Sequence, residues 1–248
     1  MSDAQFLLLV VTFTFLLAGL VKGVVGVGLP TVSMGFLSLT MPPVEAAVIM
    51  VIPTLVTNVW QMIAGPALGA LAKRFASLAL GIIAGTFMTI GLLTGKSTAL
   101  ATGALGAVLA AYAVHGLVAA RFEVRPSSEK WLSPLIGLIT GMLTGATGIF
   151  VIPVIPYLSS LKMGRDELIQ SMGIAAFVCP LALGAALVIG GRFQTEIAGT
   201  SLLAVLPAMA GMYAGQRVRG RLQPAVFRRW FFFGLLALGA YMFLRSVR

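Results

Sequence analysis

Eight apolar runs recur along the chain and limit what it can fold into more than any other feature. They cover residues 5–29, 44–64, 75–94, 98–119, 132–160, 168–190, 198–216 and 226–245. Most of them are close to the ~20 residues that a helix needs to cross a bilayer. Because only 10% of the residues are charged, a soluble domain would lack the polar groups to cover its surface. The sequence therefore predicts an all-α integral membrane protein.

The chain also shows signs of an internal duplication. At an offset of 118 residues, "GLVKG" (19–23) aligns with "GLITG" (137–141), and each opens a glycine-rich patch inside an apolar run. Shorter matches at offsets of 122 and 129 indicate that the register drifts through small insertions. We therefore expect a first membrane repeat over 1–122, a polar cytoplasmic linker over 123–131 and a second membrane repeat over 132–248.

The lysines and arginines test how the two repeats lie in the bilayer. If every run crossed once, the basic residues other than Lys22 would divide eight against eight between the faces, which shows no orientation preference. If 5–41 and 132–160 each cross and return as a broken hairpin, they divide twelve against four. The larger set is Lys73, Arg74, Arg121, Arg125, Lys130, Lys162, Arg165, Arg217, Arg219, Arg221, Arg228 and Arg229, and the smaller is Lys96, Arg192, Arg245 and Arg248.

This positive-inside pattern predicts two inverted repeats of about five membrane elements each, with the basic loops cytoplasmic and both termini on the other face. The run 5–41 is too long for one untilted span and shorter than the ~40 residues of two full spans. At least one limb is therefore short. The sequence leaves open whether that limb crosses the bilayer fully or is re-entrant.

The first hairpin contains a helix break in "GLVKGVVGVGLPTV" (19–32). Gly23, Gly26 and Gly28 each weaken a helix by roughly 1 kcal/mol relative to alanine, and Pro30 cannot donate the next helical hydrogen bond. We expect one helix to end here and another to begin at the proline. In the bilayer such a break is tolerated only where protein or a water-filled cavity satisfies the freed backbone groups. The break therefore predicts a cavity.

The second repeat has a matching break in "GMLTGATGIFVIPVIP" (141–156). Helix N-termini carry unpaired N–H groups and a partial positive charge, so two breaks that meet predict an anion site. The residues expected to hold the anion are Gly26, Gly28 and Thr31 in the first break and Thr144, Gly145, Thr147 and Gly148 in the second. The alternative is close packing of helices through small residues, which we favour for the pairs Gly19–Gly23 and Gly137–Gly141.

Lys22 is the only charge deep in the first apolar run, and it directly precedes the break. An ionisable side chain at membrane depth predicts a functional role, here as a partner for the anion. Thr140 occupies the equivalent position in the second repeat, so such a site would be asymmetric. The alternative is that the Lys22 side chain extends to the membrane interface.

A few uncharged polar residues complete the candidate site. Thr54, Asn58 and Gln61 fall on one helical face at i, i+4 and i+7, and we expect Asn58 and Gln61 to orient the anion. Gln170 and Ser171 begin the corresponding helix of the second repeat and have the same interpretation. The alternative is hydrogen bonding that only holds neighbouring helices together.

The sequence shows no sign of an enzyme. It has no Ser/His/Asp set, nucleotide-binding loop or metal-ligand spacing, so we predict no catalytic residue, metal or cofactor. Cys179 is the one cysteine, which excludes an internal disulfide. The basic residues flank the apolar runs, where orientation in the membrane explains them, so no nucleic-acid partner is expected.

Three stretches, "VKGVVGVGLPTVSMGFLSLTMPPVEAA", "IPTLVTNVWQ" and "GLITGMLTGATGIFVIPVIPYL", together resemble the sulfite exporter TauE/SafE family, also called the toluene sulfonate uptake permease family. The resemblance implies a bacterial inner-membrane carrier that moves sulfur-containing or organic anions such as sulfite, sulfoacetate or other sulfonates, often outward. The chain departs from the commoner family pattern, because Leu29 and Pro30 follow Gly28 where a run of three glycines closes the motif. Substrate choice is therefore not carried over.

These observations predict a secondary transporter that exports a small sulfur-containing or organic anion by alternating access. Its expected partners are that anion and the lipid bilayer. The sequence leaves open the substrate, the direction, a coupling proton or ion, and whether the chain forms a homodimer. The alternatives are a passive channel for anions or small solutes and a membrane subunit that transports nothing.

Overall fold

A computed structural model describes residues 3–63, 65–118, 124–193, 195–220 and 223–247. Within these ranges the chain is helical and contains no β-strand, so the predicted all-α fold is confirmed. The helices are α1 (Asp3–Val25), α2 (Leu29–Leu37), α3 (Pro43–Ile63), α4 (Leu68–Arg74), α5 (Ala76–Thr94), α6 (Thr98–Val118), α7 (Glu129–Thr147), α8 (Val154–Ser160), α9 (Arg165–Ile189), α10 (Thr195–Leu203), α11 (Val205–Arg219) and α12 (Pro224–Val247).

Seven helical segments of the described chain are long and apolar enough to cross a membrane. They are Gln5–Val25, Pro43–Ile63, Ala76–Thr94, Thr98–Val118, Arg165–Ile189, Ile197–Arg219 and Val226–Val247. They correspond to seven of the eight apolar runs, and the remaining run, 132–160, is divided between α7 and α8. Large apolar side chains such as Leu80 and Leu206 are exposed on their outer faces. This is the surface expected of a multi-pass membrane protein.

Both predicted helix breaks are present, and glycines make them. Gly26 and Gly28 lie between α1 and α2 with φ angles of 91° and 113°, and Gly148 directly follows α7 with a φ of 74°. Glycine adopts these angles freely, whereas a Cβ atom makes them costly. Pro30 lies in the first turn of α2, where its missing N–H leaves no bond unmade.

The main helix contacts join the first half of the chain to the second. α1 packs on α11, α5 on α7, α3 on α9 and α6 on α12. A Cβ added to Gly19 would lie 2.1 Å from the carbonyl oxygen of Ala208, and one added to Gly141 would lie 2.1 Å from that of Ile82. The backbones therefore meet directly, which confirms the packing interpretation of these glycine pairs.

Two contacts show that the run 132–160 turns back within the protein. The N–H of Val124 donates to the carbonyl of Ser160 at 3.2 Å. The hydroxyls of Ser133 and Tyr157, from the two limbs of the run, lie 2.6 Å apart. A single crossing would separate the ends of this run by the ~30 Å of the hydrocarbon core. The contacts fit two limbs and not one straight span.

Candidate functional site

A small cavity lies beside the first break, and we call it the break cavity. Its lining residues are Lys22, Gly26, Val27, Gly28, Leu29, Pro30, Asn58, Gln61, Phe150, Val151, Ile155, Met172 and Ala176. They come from both halves of the chain and from both breaks. The volume of the cavity is about 20 Å³, roughly the room that one water molecule needs. The structure thus shows residues of both breaks lining one small space.

Lys22 points into the helix bundle from the last turn of α1. Its side chain is only 6% exposed, and its nitrogen donates to the hydroxyl of Thr57 at 3.0 Å and to the side-chain oxygen of Asn58. No salt bridge to Lys22 occurs among the described residues. Both of its partners are neutral, so they fix the position of the amine without supplying a counter-charge. The amine therefore lies in the interior of the protein.

Asn58 connects the first half of the chain to the second. Its side-chain oxygen accepts from Lys22, and its side-chain nitrogen donates to the carbonyl of Ala176 on α9 at 2.8 Å. The amide therefore has a fixed orientation, with its acceptor toward the lysine. A carboxylate at this position would present a negative charge to Lys22 instead.

The predicted polar face of α3 is divided between two environments. Asn58 and Gln61 line the break cavity, whereas Thr54 does not. Gln61 lies one turn nearer the end of α3, where its side-chain nitrogen donates to the carbonyl of Ile169 at 3.3 Å. Thr54 is fully buried, and its hydroxyl has no hydrogen-bond partner in the described structure.

The start of α2 faces the same cavity as Lys22. The first helical hydrogen bond of α2 runs from the N–H of Val32 to the carbonyl of Gly28 at 3.0 Å. Earlier N–H groups in this segment have no helical acceptor, and they carry the partial positive charge of a helix N-terminus. Thr31 supports the break, because its hydroxyl donates to Gly28 O at 2.8 Å. At Gly26 an added Cβ would meet no atom within 4 Å, so the backbone there borders open space.

The second break supplies apolar walls to the cavity, through Phe150 and Val151. The two threonines predicted to hold the anion bond to their own helix instead. Thr144 donates to the carbonyl of Thr140 at 2.7 Å, and Thr147 donates to that of Leu143 at 2.7 Å. Neither hydroxyl lines the break cavity in this conformation.

The two glycines predicted with them also lie outside the cavity lining. A Cβ added to Gly145 would lie 2.3 Å from the carbonyl oxygen of Thr86 on α5, so this glycine permits helix packing. Gly148 lies against the side chain of Met34 on α2, with Sδ at 3.0 Å from an added Cβ. The second break therefore touches α2 through Gly148 and Met34.

Gln170 and Ser171 hold loops together at the start of α9. The side-chain nitrogen of Gln170 donates to the carbonyls of Met62 at 2.9 Å and Gly65 at 2.7 Å, and its oxygen accepts from the N–H of Ala67 at 3.1 Å. The Ser171 hydroxyl lies 3.7 Å from the sulfur of Met163. The structure does not bring these two residues to the break cavity.

Several residues around Lys22 were not predicted from the sequence. Thr57 lies beside the expected face of α3, and only its contact with Lys22 reveals its position. Met172 and Ala176 line the cavity from α9. Their side chains carry no hydrogen-bonding group, so no sequence pattern distinguishes them from other apolar helix residues.

The family model described as sulfite exporter TauE/SafE matches residues 11–242, which include both breaks and every residue of the break cavity. Neither the curated proteins nor the solved structures include a significant match. The chain therefore belongs to the sulfite exporter TauE/SafE family, whose members are membrane transporters and not enzymes.

Proposed function

We propose that this protein is a secondary transporter that exports a small sulfur-containing or organic anion, such as sulfite or a sulfonate, and that the break cavity holds this anion. The observation that carries the proposal is the position of Lys22. Its buried nitrogen lies in the same cavity as the N-terminus of α2, and both favour negative charge. Because the neighbours of Lys22 are neutral, a bound anion can supply the counter-charge.

The size of the cavity supports a mechanism with a closed state. Sulfite has four heavy atoms, whereas a cavity of about 20 Å³ has room for roughly one water molecule. The bundle must therefore open around the breaks before the anion binds. Because residues from both halves form the cavity walls, a movement of one half against the other would open it. That movement is the core of alternating access.

The pairing of the helices supports the two predicted repeats. In the described part of the chain, six α-helices precede residue 119 and six follow residue 128. In this order α1 corresponds to α7 and α5 to α11. When each helix is replaced by its counterpart, the contact α1–α11 becomes the contact α7–α5, and both are present. Two repeats related by a pseudo-twofold axis require this. We infer inverted repeats in a bacterial inner membrane, with the basic loops in the cytoplasm and both termini in the periplasm.

The proposal is tested by transport into liposomes. Purified protein is reconstituted, and uptake of radiolabelled sulfite is followed under an imposed gradient. We expect saturable flux that unlabelled sulfite on the opposite side accelerates by exchange. Lys22→Met should abolish this flux, whereas Lys73→Met, at an exposed lysine of α4, should leave it unchanged.

Three outcomes would contradict the proposal. Flux that does not saturate and shows no exchange would indicate a passive channel. No flux of sulfite or any sulfonate, together with a stable partner protein, would indicate a membrane subunit without transport activity. Equal flux in Lys22→Met and the parent protein would show that the anion does not depend on the break cavity.

A further inference from the structure

A second cavity lies at the far end of α2, and we call it the α2 vestibule. Its volume is about 380 Å³, in the range of small-molecule sites. Its polar lining residues are Ser38, Thr40, Thr98, Thr102, Arg245 and Ser246. The vestibule shares no lining residue with the break cavity. Nothing in the proposed function depends on it.

α2 runs from one cavity to the other. The break cavity includes Gly28, directly before α2, and the vestibule includes Ser38, directly after it. A helix of 9 residues spans roughly 14 Å. The vestibule thus lies about half a bilayer away from Lys22.

The vestibule lies at the sparsely charged end of the bundle. Thr98 begins α6, immediately after the α5–α6 turn, and the Arg192 side chain reaches the carbonyl of Thr94 in the same region at 2.8 Å. α5, of 19 residues and roughly 28 Å, separates this end from Arg74 and Glu129. An anion that left the break cavity along α2 would therefore emerge away from the basic loops.

Arg245 gives the vestibule a positive charge. It is exposed, and no salt bridge to it occurs among the residues that the structure describes. A guanidinium offers five N–H donors in a planar fork that fits an oxyanion. An oxyanion is therefore the ligand that this side chain recognises best.

Ser38 supplies an independent indication of a ligand. It is 8% exposed and its hydroxyl has no hydrogen-bond partner in the described structure. Buried hydroxyls are nearly always hydrogen-bonded, so an unpartnered one that borders a cavity indicates a missing group. Arg245 and Ser38 line the same cavity, so both side chains border the space that a ligand would occupy.

The start of α6 adds backbone donors to the same wall. Ser97 accepts two hydrogen bonds from this turn, each at 3.2 Å. Its hydroxyl accepts from the N–H of Leu100, and its carbonyl accepts from the N–H of Ala101. Thr98 and Ala99 precede this first helical bond and line the vestibule. Their N–H groups lie at the positive end of α6.

We propose that the α2 vestibule is a second binding site for a small oxyanion, held by the Arg245 guanidinium and the Ser38 hydroxyl. The choice of sulfite or a sulfonate as the ligand rests on the proposed function. The two sites would lie at opposite ends of α2, one buried at the break and one open at the surface of the bundle.

The test counts sulfite sites on the purified full-length protein in lipid-free detergent by equilibrium dialysis with radiolabelled sulfite. The parent protein should bind two equivalents, and both Lys22→Met and Arg245→Gln should bind one. The double variant should bind none. Ser38→Ala in the Lys22→Met background should weaken the remaining site about tenfold, because one hydrogen bond to a charged ligand is lost.

Arg219→Gln is the matched control, at an exposed arginine of the basic end, and should bind two equivalents. The proposal is overturned if Lys22→Met binds no sulfite or if Arg245→Gln still binds two equivalents. It is also overturned if Arg245-dependent binding is seen only with an anionic phospholipid in nanodiscs, which would identify a lipid headgroup as the ligand. Failure of transport with the Arg245-dependent site intact would count against the proposed function alone.

Discussion

Lys22 and Asn58 are hydrogen-bonded between α1 and α3 inside the break cavity. Asn58 also donates to the carbonyl of Ala176 on α9 at 2.8 Å. The amine thus depends for its position on an amide that is itself anchored to the second half of the chain. Any movement of α9 against α3 would break or lengthen this connection. Opening of the site and the position of its charge are therefore linked.

Replacing Asn58 with aspartate tests whether the charge of Lys22 attracts the anion. The carboxylate would pair with the lysine and cancel its charge, whereas Asn58→Leu removes the amide and leaves the charge. We expect Asn58→Asp to bind sulfite about tenfold more weakly than Asn58→Leu, since one charged interaction is lost. Binding is measured by ligand-dependent thermal shift of the purified variants. Equal affinity in the two variants would contradict the assigned role of the lysine.

Replacing the glycines of the first break tests whether its shape is needed for transport. Alanine at Gly28, with a φ of 113°, should cost about 1–3 kcal/mol of backbone strain. Its Cβ would also lie 3.3 Å from the Val21 side chain. Alanine at Gly26, with a φ of 91°, would be strained in the same way, but its Cβ would meet no atom within 4 Å. We expect both variants to lower the sulfite flux per inserted protein, with the larger loss at Gly28.

Gly69→Ala is the control for this pair, because Gly69 is an exposed residue of α4 and an added Cβ would meet nothing within 4 Å. Its flux should equal that of the parent protein. Unchanged flux in Gly28→Ala would mean that the break tolerates an ordinary residue, and the site would then not depend on this backbone conformation.

The positions of the breaks could be predicted from the sequence because glycine and proline act on the backbone of their own residue. Closely spaced, Gly26, Gly28 and Pro30 favour the end of one helix and the start of another. Close helix packing at Gly19 and Gly141 was predictable for a related reason, since a missing side chain leaves room for a neighbouring backbone.

The chemistry of each wall of the cavity could not be predicted in the same way. Thr144 and Thr147 carry hydroxyls that could bind an anion. A helical threonine can instead donate to the carbonyl four residues before it, and both do so here. The choice between that bond and a ligand depends on tertiary structure. The side chains that do face Lys22 from the second half, such as Phe150, are apolar and carry no recognisable signal.

Helix packing at Gly141 can be tested separately from the site. Alanine there would place Cβ 2.1 Å from the carbonyl oxygen of Ile82, so α7 and α5 would have to separate. We expect a loss of about 1–3 kcal/mol, as for other overpacked contacts, seen as a lower unfolding temperature in detergent. Gly91→Ala on α5 is the control, because its Cβ would meet nothing within 4 Å. Equal unfolding temperatures would contradict direct backbone contact.

Gln170 offers a test that separates a structural role from substrate binding. It is 1% exposed, and its nitrogen donates to the carbonyls of Met62 and Gly65 while its oxygen accepts from Ala67. Gln170→Glu keeps the shape and the acceptor but turns an oxygen toward two carbonyl oxygens. We expect a loss of stability of about 1–3 kcal/mol or more, because a buried charge lacks donors.

The loss in Gln170→Glu should shrink as the pH falls, since protonation of the carboxylate restores one donor toward those carbonyls. Unfolding temperatures measured across a pH series test this, with Gln223→Glu, at an exposed residue before α12, as the control that should change little. Flux per folded protein should stay near the parent value, because Gln170 lies outside the break cavity. If Gln170→Glu instead keeps its unfolding temperature and loses sulfite flux, Gln170 contacts the substrate in a conformation other than this one.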